Sequence, residues 1–141
     1  DRRLQVKALP GGGSIIDDSY NASPSSVRAA IDVLASSAGR RIMVLGDMAE
    51  LGADAEDHHQ QVGEYALQAG IDALYTLGKL SAHASATFGG KHFENIDLLT
   101  QALCNEALVA EDKSSDLCIL VKGSRSSQMD LVVDKLLAEK S

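Results

Sequence analysis

The sequence predicts a three-layer α/β domain of Rossmann-like architecture, with a mainly parallel sheet of about six strands and helices on both faces. Short apolar segments alternate along the chain with longer segments of helical periodicity, and the connections between them are short. Residues 42–45 and 117–121 are continuously apolar, as expected of strands that helices cover on both faces. Strand twist makes the crossovers right-handed. The first strand, joined to the second by a short glycine turn, is expected to pair antiparallel at an edge.

Size and composition are typical of one globular domain, residues 1–141. A chain of 141 residues can bury a sizeable core, and 45% hydrophobic residues with 23% charged ones argue against disorder. Because the chain opens at Asp1 without a methionine, we expect a piece cut from a longer protein. Cys104 and Cys118 have no CxxC spacing and lie in apolar contexts, which indicates buried thiols of a reducing compartment.

The net charge of −7 limits the classes of partner. Nucleic acids and anionic membranes both attract basic surfaces, so neither is expected to bind here. The sequence has no signal-peptide pattern and no apolar run long enough to cross a bilayer, so we expect no membrane insertion. Phosphate ligands are compatible with this charge, since helix N-termini and a few local lysines or arginines bind them.

The chain begins with two predicted strands. Leu4 and Val6 alternate with polar residues, the pattern of a half-buried strand, and the glycine-rich segment 10–13 reads as a turn. This turn lacks the lysine spacing of a phosphate-binding loop, and no helix follows it. Instead, the apolar residues 15–16 start the second strand.

Two helices and the third strand come next. Ser23 is a good N-cap and Pro24 suits the first position of a helix that is expected to end near Gly39. The strand 42–45 then leads to a second helix, whose start is rich in acidic residues and whose end is expected at Gly70.

The second half repeats this alternation. A strand at 73–77 precedes a small-residue helix from about Lys79, and a brief strand precedes a helix that Asn95 or Asp97 caps. The polar run 111–116 is expected to form a surface loop. The last buried strand, 117–121, then leads into a helix with Met129, Val132, Val133 and Leu136 facing inward.

Three loops that follow strands carry the charged residues best suited to ligand binding. They are Asp17 and Asp18 after the second strand, Asp47 and Glu50 after the third, and Lys122 and Arg125 after the last. Because the carboxyl ends of parallel strands share one edge of the sheet, we expect these loops to line one crevice. Carboxylates suit ribose hydroxyls or Mg²⁺, while lysine and arginine suit phosphates or carboxylates. The alternative is that the aspartates cap the turn and Lys122 pairs with one of them.

The same residues allow two other interpretations. A receiver-like signalling domain builds an aspartyl-phosphate site from two aspartates, a third aspartate and a lysine, but here Asp47 follows the very next strand. A non-catalytic nucleotide-binding domain is the other alternative. A metal site at His58 and His59 is not expected, since adjacent residues of a helix point about 100° apart and no third ligand is evident.

Three segments resemble, in the same order, signature motifs of the C-terminal domain of the Mur ligase family. They are DDSYNASP at 17–24, GDMAELG at 46–52 with His59 at the family's spacing beyond it, and VKGSRS at 121–126. Together they span most of the chain. They are similar to the branch of the family that adds D-alanyl-D-alanine to UDP-N-acetylmuramoyl-tripeptide in peptidoglycan precursor synthesis.

The resemblance implies a nucleotide site in this chain. Asp18 is expected at the nucleotide ribose, with Tyr20 and Asn21 near the nucleotide and its phosphates. Arg3 resembles the arginine of the family's GRL segment, although Arg2 stands where that segment has glycine.

The resemblance also implies a site for the dipeptide. The residues expected there are Asp47, Glu50, Lys122, Ser124 and Arg125. It leaves open which of the last three holds the dipeptide carboxylate. His59 is expected to support the 46–52 loop from behind.

The chemistry implied by the resemblance is an acyl phosphate, made from the tripeptide carboxylate and ATP and then attacked by the dipeptide amine. ATP and Mg²⁺ would be bound mainly by a central domain, which is absent from this chain together with the UDP-sugar domain. No catalytic residue and no metal ligand is assigned here, so the isolated domain is expected to be inactive. The resemblance further implies a monomer in the bacterial cytoplasm, with its own central domain as a partner.

Overall fold

The computed structural model describes residues 2–112 and 117–138. The strands found there are β1 Gln5–Ala8, β2 Ser14–Asp18, β3 Arg40–Gly46, β4 Ala73–Leu77, β5 Lys91–Phe93 and β6 Leu117–Lys122. The helices are α1 Pro24–Ala35, α2 Ala55–Gln68, α3 Ser81–Phe88, α4 Ile96–Asp112 and α5 Asp130–Ala138. Short 3₁₀ turns at Gly52–Asp54 and Arg125–Ser127 precede α2 and α5.

The strands form one sheet in the order β1-β2-β6-β3-β4-β5. β1 pairs antiparallel with β2 at one edge, and every other pairing is parallel. This confirms the predicted mainly parallel sheet with an antiparallel edge strand. The last strand of the chain, β6, lies between β2 and β3, which brings the loops after these three strands side by side.

Helices cover both faces of the sheet, and the alternating side chains of β6 show how. Leu120 points into a core that contains Val27 and Ile31 of α1 together with side chains of α2 and α3. Ile119 points into a separate core with side chains of α4 and α5, such as Val132. The crossovers through α1, α2 and α3 advance across the sheet in one direction, whereas α4 returns. Because all crossovers share one hand, α4 lies on the opposite face.

Helix α1 starts as predicted and ends earlier than predicted. The Ser23 hydroxyl accepts the Ser26 amide at 3.2 Å, and the Ser26 hydroxyl accepts the Ser23 amide at 2.9 Å, which forms a capping box before Pro24. The helix ends at Ala35, where the Ser36 hydroxyl donates to the Val33 carbonyl at 2.7 Å. A serine that satisfies the last carbonyls ends the helix, and the later glycine only turns the chain into β3.

Strand β1 alternates as predicted, but its buried side is the polar one. Val6 is 70% exposed and Leu4 is 47% exposed, whereas Gln5 and Lys7 are half-buried. The Lys7 ammonium reaches the buried Asp17 carboxylate of β2 at 3.3 Å. This ion pair fixes the orientation of an edge strand that has only one neighbour.

The second half departs from the predicted boundaries at two places. α3 starts at Ser81, two residues after the predicted start. Of the two residues predicted to cap α4, Asn95 is the cap, since its Oδ1 accepts the Asp97 and Leu98 amides at 2.7 and 3.1 Å. α4 continues through Asp112, and the rest of the loop predicted at 111–116 lies outside the described residues.

The remaining predictions from composition concern the thiols and the membrane. Cys118 is buried, and Cys104 is partly buried. Among the helices of residues 2–112 and 117–138, none combines the length and the hydrophobicity that crossing a bilayer requires.

Candidate functional site

The loops after β2, β6 and β3 meet at the carboxyl edge of the sheet. Asp18 at the end of β2 lies opposite Lys122 at the end of β6, and Lys122 lies opposite Leu45 of β3. The chain leaves β2 and β3 toward one face and leaves β6 toward the other. Such a divergence opens a crevice between neighbouring strands, where open α/β sheets bind ligands.

Asp18 and Lys122 form a buried ion pair at the floor of this crevice. Lys122 Nζ donates to Asp18 Oδ2 at 2.8 Å and to the Asn21 carbonyl at 2.9 Å. The Asp18 side chain is only 9% exposed and the Lys122 side chain only 4%. Asp18 Oδ1 also accepts the Leu4 amide at 3.1 Å, which ties the segment before β1 to the crevice. The pair therefore corresponds to the alternative in which Lys122 neutralises an aspartate of the turn.

Asp17 faces away from the crevice. Its carboxylate is fully buried, and it accepts bonds from Arg2 at 3.2 Å, from Lys7 at 3.3 Å and from the Ser19 hydroxyl at 2.6 Å. These partners complete its coordination. Asp17 therefore stabilises the β1–β2 edge and the turn after β2, and it has no free lone pair directed at a ligand.

The four residues implied for the nucleotide line one open cleft of about 350 Å³: Arg3, Asp18, Tyr20 and Asn21. Lys122 contributes to the same wall. The Arg3 guanidinium lies 4.2 Å from the centre of the Tyr20 ring, a cation–π distance that holds the arginine at the cleft.

Arg125 borders a neighbouring cleft of about 280 Å³ on the other side of Tyr20. Its guanidinium lies 5.3 Å from the Tyr20 ring centre, and its side chain is exposed. Within the described parts of the chain, no carboxylate forms an ion pair with Arg125. Tyr20 thus separates two clefts, each with an arginine against its ring.

Ser124 connects the three loops. It is buried, its amide donates to the Asp47 carbonyl at 3.0 Å, and its hydroxyl accepts the Ala49 amide at 2.7 Å. The same hydroxyl lies 3.4 Å from the Ala22 carbonyl, its acceptor in the loop after β2. One serine therefore fixes the spacing of the candidate ligand-binding loops.

The Asp47 side chain caps helix α3. Its Oδ1 accepts the Ser81 amide at 2.7 Å and the Ser81 hydroxyl at 2.8 Å, and its Oδ2 accepts the Leu80 amide at 3.3 Å. This cap explains why α3 starts at Ser81. Gly78 permits the approach, because a Cβ there would lie 2.5 Å from the Asp47 carboxylate.

Glu50 lies in the loop after β3, and His59 lies behind that loop on α2. Glu50 is exposed and has a φ of 61°, a left-handed conformation that is uncommon for residues other than glycine. His59 is fully buried on α2, where Nε2 accepts the Met48 amide at 3.0 Å and Nδ1 donates to the Ala55 carbonyl at 2.7 Å. Burial lowers the pKa of His59 below its ordinary value.

The acidic side chains of this edge do not form a metal site of their own. Asp17 and Asp47 are engaged by the partners described above, and Asp18 accepts one hydrogen bond on each oxygen. No group of three His, Cys, Asp or Glu side chains in residues 2–112 and 117–138 is arranged to hold an ion. The receiver-like alternative requires an Asp47 carboxylate open to phosphorylation. The structure contradicts it, because that carboxylate is the cap of α3.

Sequence reasoning found the three loops and missed the contacts between them. It did not identify Ser81 as the partner of Asp47, because the two residues are 34 positions apart and the preference for capping residues covers only the residue just before a helix. It assigned Ser124 only to ligand binding. Nothing in the spacing of the motifs indicates that its hydroxyl reaches both neighbouring loops.

Comparison with known proteins agrees with these observations. The family described as Mur ligase, glutamate ligase domain, matches residues 2–125. The UDP-N-acetylmuramoyl-tripeptide--D-alanyl-D-alanine ligase of Escherichia coli K12 is 48% identical over 141 residues, which cover 93% of this chain and 30% of that protein. The chain spans about 30% of the length of this ligase and of the same ligase from Buchnera aphidicola of Acyrthosiphon pisum, which is 40% identical.

Solved structures show the same fold. A crystal structure of MurF from Acinetobacter baumannii matches with a TM-score of 0.85 and 29% identity, over 96% of this chain and 30% of that one. A MurF ligase from Thermotoga maritima in complex with ADP matches with a TM-score of 0.81 over 99% of this chain and 32% of that one, and its 22% identity supports the fold alone. Because the family match covers most of the sequence, this chain belongs to the Mur ligase family, through its glutamate ligase domain.

Proposed function

We propose that this chain, residues 1–141, is the C-terminal domain of an ATP-dependent ligase that joins D-alanyl-D-alanine to UDP-N-acetylmuramoyl-tripeptide. The observation that carries the proposal is the meeting of the three family motifs at one edge of the sheet, where Ser124 links their loops. The E. coli relative that shares 48% identity with the chain has this activity in its name. The rest of the catalytic site belongs to the other domains of such a ligase.

The cleft beside Arg3 is the proposed nucleotide side. Tyr20 and Asn21 line it together with Arg3, and a guanidinium is suited to hydrogen-bond a phosphate or a ribose oxygen. The Asp18 carboxylate is held rigid by Lys122 and the Leu4 amide, so it presents a fixed negative edge for ribose hydroxyls. Binding is therefore expected to depend on Asp18 through geometry and on Arg3 through charge.

Arg125 is the proposed ligand of the dipeptide carboxylate. Lys122 and Ser124, the other two candidates, are buried and bonded within the domain, whereas Arg125 is exposed beside the second cleft. A free guanidinium can bind a carboxylate with two parallel hydrogen bonds. Glu50, also exposed, is available to the dipeptide ammonium, while Asp47 supports the loop by capping α3.

The proposed reaction uses this domain for positioning. The tripeptide carboxylate takes the terminal phosphoryl group of ATP and releases ADP, and the dipeptide amine then attacks the acyl carbon and expels phosphate. Holding the amine against the acyl phosphate turns a bimolecular step into an intramolecular one. We assign Mg²⁺, which such a ligase uses to neutralise phosphate charge, to the remaining domains of the ligase.

A domain exchange tests the proposal. The segment of the E. coli relative that matches this chain is replaced by residues 1–141, and ADP formation is measured with and without D-alanyl-D-alanine. We expect dipeptide-dependent turnover in the chimera and none from residues 1–141 alone. A soluble, folded chimera that releases no ADP would refute the proposed activity.

Two arginine variants of the chimera test the assignment of the clefts. Arg3→Ala is expected to raise KM for ATP, and Arg125→Ala to raise KM for the dipeptide, each by about tenfold or more, because a charge-assisted hydrogen bond is lost. Arg28→Ala on α1, outside both clefts, is the matched control and should leave both constants unchanged. Equal effects of Arg3→Ala and Arg125→Ala on both substrates would contradict the division into two clefts.

A further inference from the structure

His59 has a defined protonation state in this fold. Its Nε2 accepts the Met48 amide at 3.0 Å, so that nitrogen carries no proton. The proton of the neutral ring is therefore on Nδ1, which lies 2.7 Å from the Ala55 carbonyl. Both ring nitrogens are occupied, and the side chain is fully buried. A second proton on Nε2 would remove the only acceptor within reach of the Met48 amide described here.

The Met48 amide is the first contact in a short series across the site. The next residue, Ala49, donates its amide to the Ser124 hydroxyl at 2.7 Å, and that hydroxyl is 3.4 Å from the Ala22 carbonyl. Two consecutive amides of one loop are thus held by one acceptor on α2 and another after β6. Losing the first acceptor frees the backbone that supplies the second contact.

Few charges near His59 are placed to stabilise a proton there. Asp47 favours the charged ring, but its carboxylate is committed to the cap of α3. His58 on α2 and His83 on α3 both disfavour the charge, and His83 lies 3.7 Å from Glu56. Burial is the largest cause that lowers the pKa of His59, and the two histidines add to it, against the opposing effects of the Ala55 carbonyl and Asp47.

We infer that neutral His59 is a positioning residue of the candidate site, and that its protonation releases the Met48 and Ala49 amides and so uncouples the loop after β3 from Ser124. The hydrogen bond between the Met48 amide and His59 therefore links α2 to the three loops in a pH-dependent way. It holds the loop assigned above to the dipeptide. The effect of its loss on dipeptide KM rests on the proposed function, whereas the effect on the two amides does not.

The test is backbone amide exchange and histidine nitrogen NMR on residues 1–141. Long-range proton–nitrogen spectra at pH 7.5 are expected to show His59 neutral with its proton on Nδ1. Lowering the pH to 5.0 is expected to shift the Met48 and Ala49 amides with the same midpoint as the His59 ring. A His59 ring that carries its proton on Nε2 at pH 7.5 would overturn the inference.

Two variants separate positioning from simple packing. In His59→Gln the amide oxygen can replace Nε2 as acceptor, so both amides should stay protected and lose their pH dependence. His59→Asn is too short to reach Met48, and at pH 7.5 exchange of both amides should accelerate by about tenfold or more. His92→Gln, on β5 and outside the groups that shift the pKa of His59, is the matched control and should leave the midpoint within about half a pH unit.

Two results of these NMR measurements would overturn the inference. One is an unchanged pH dependence of the Met48 and Ala49 amides in His59→Gln, which would assign the titration to another group. Another is unchanged protection of these amides in a folded His59→Asn. A folded, functional chimera in which His59→Asn raises dipeptide KM and His59→Gln restores it would extend the inference to binding.

Discussion

At the scale of single residues, the ion pair between Lys122 and Asp18 makes the clearest energetic prediction. Lys122→Met removes the cation and leaves a buried carboxylate with only the Leu4 amide as partner. Breaking one side of a buried pair costs about 3–5 kcal/mol, so the free energy of unfolding should fall by about that amount. Urea unfolding followed by far-UV circular dichroism measures this change.

The control for this prediction is an ion pair on the surface. Lys135 and Asp97 lie 3.2 Å apart, but their side chains are 46% and 74% exposed. Lys135→Met should therefore change stability by less than about 1 kcal/mol. The double variant Asp18→Asn with Lys122→Met should be more stable than the sum of the single effects implies, since it leaves no unpaired buried charge, whereas each single variant leaves one. Additive effects would show that the two groups do not interact.

At the scale of secondary-structure elements, the contact between α2 and α3 depends on Gly63. A Cβ at this position would lie 2.4 Å from the Ala84 carbonyl oxygen. Glycine to alanine inside a helix usually adds about 1 kcal/mol of stability, but overpacking costs about 1–3 kcal/mol. We expect the clash to prevail, so that Gly63→Ala lowers the free energy of unfolding in urea.

A second substitution shows whether the backbone causes this loss. Ala84→Gly removes a side chain but leaves the carbonyl in place, so it should not restore the stability of Gly63→Ala. Rescue by Ala84→Gly would mean that a side-chain contact limits the packing. A Gly63→Ala variant more stable than the parent would mean that α2 and α3 separate at little cost.

The helices and strands also show which parts of the fold can be predicted from the sequence. Alternating apolar patterns located the strands and helices, because burial on one or both faces leaves a periodic trace. The end of α1 and the start of α3 were misplaced, since Ser36 and Asp47 satisfy backbone groups through contacts that periodicity does not record. The buried face of β1 was also misjudged, because the Lys7–Asp17 pair outweighs the hydrophobicity of Val6.

The candidate site, too, can be predicted from the sequence only in part. The position of the loops follows from the rule that parallel strands end at one edge, and the family motifs supplied the residue types. The use of each polar atom does not follow from either. Lys122 and Ser124 are as polar as Arg125 in the sequence, yet only the folded chain buries the first two and leaves the third exposed.

At the scale of the whole molecule, the titration of two buried side chains, His59 and Tyr75, should limit the pH range in which the fold is most stable. The pKa of His59 is lowered by burial, so between that value and about 6.5 the unfolded chain binds a proton that the folded chain does not. This contribution is complete above about pH 6.5 and is lost as the pH falls below it. Burial, with a hydrogen bond at 2.7 Å to Glu106, raises the pKa of Tyr75 far above its ordinary value.

The sign is opposite for the tyrosine, because its raised pKa keeps the proton on the folded chain. The contribution of Tyr75 is complete below about pH 10 and is lost as the unfolded chain ionises above it. Urea unfolding from pH 3 to pH 11 should therefore give a stability plateau, with slopes of up to about 1.4 kcal/mol per pH unit for each group.

One variant tests each side of this plateau. His59→Gln should reduce the slope on the acid side alone, and Tyr75→Phe should reduce the slope on the alkaline side alone. Tyr75→Phe should also lower the free energy of unfolding on the plateau, because the hydrogen bond to Glu106 is lost. An acid slope that persists in His59→Gln would move its origin to the carboxylates, of which Glu106 has a pKa lowered by Arg40. Since carboxylates of the unfolded chain are half-protonated near about pH 4 and a histidine near about pH 6.5, the midpoint of the slope distinguishes the two sources.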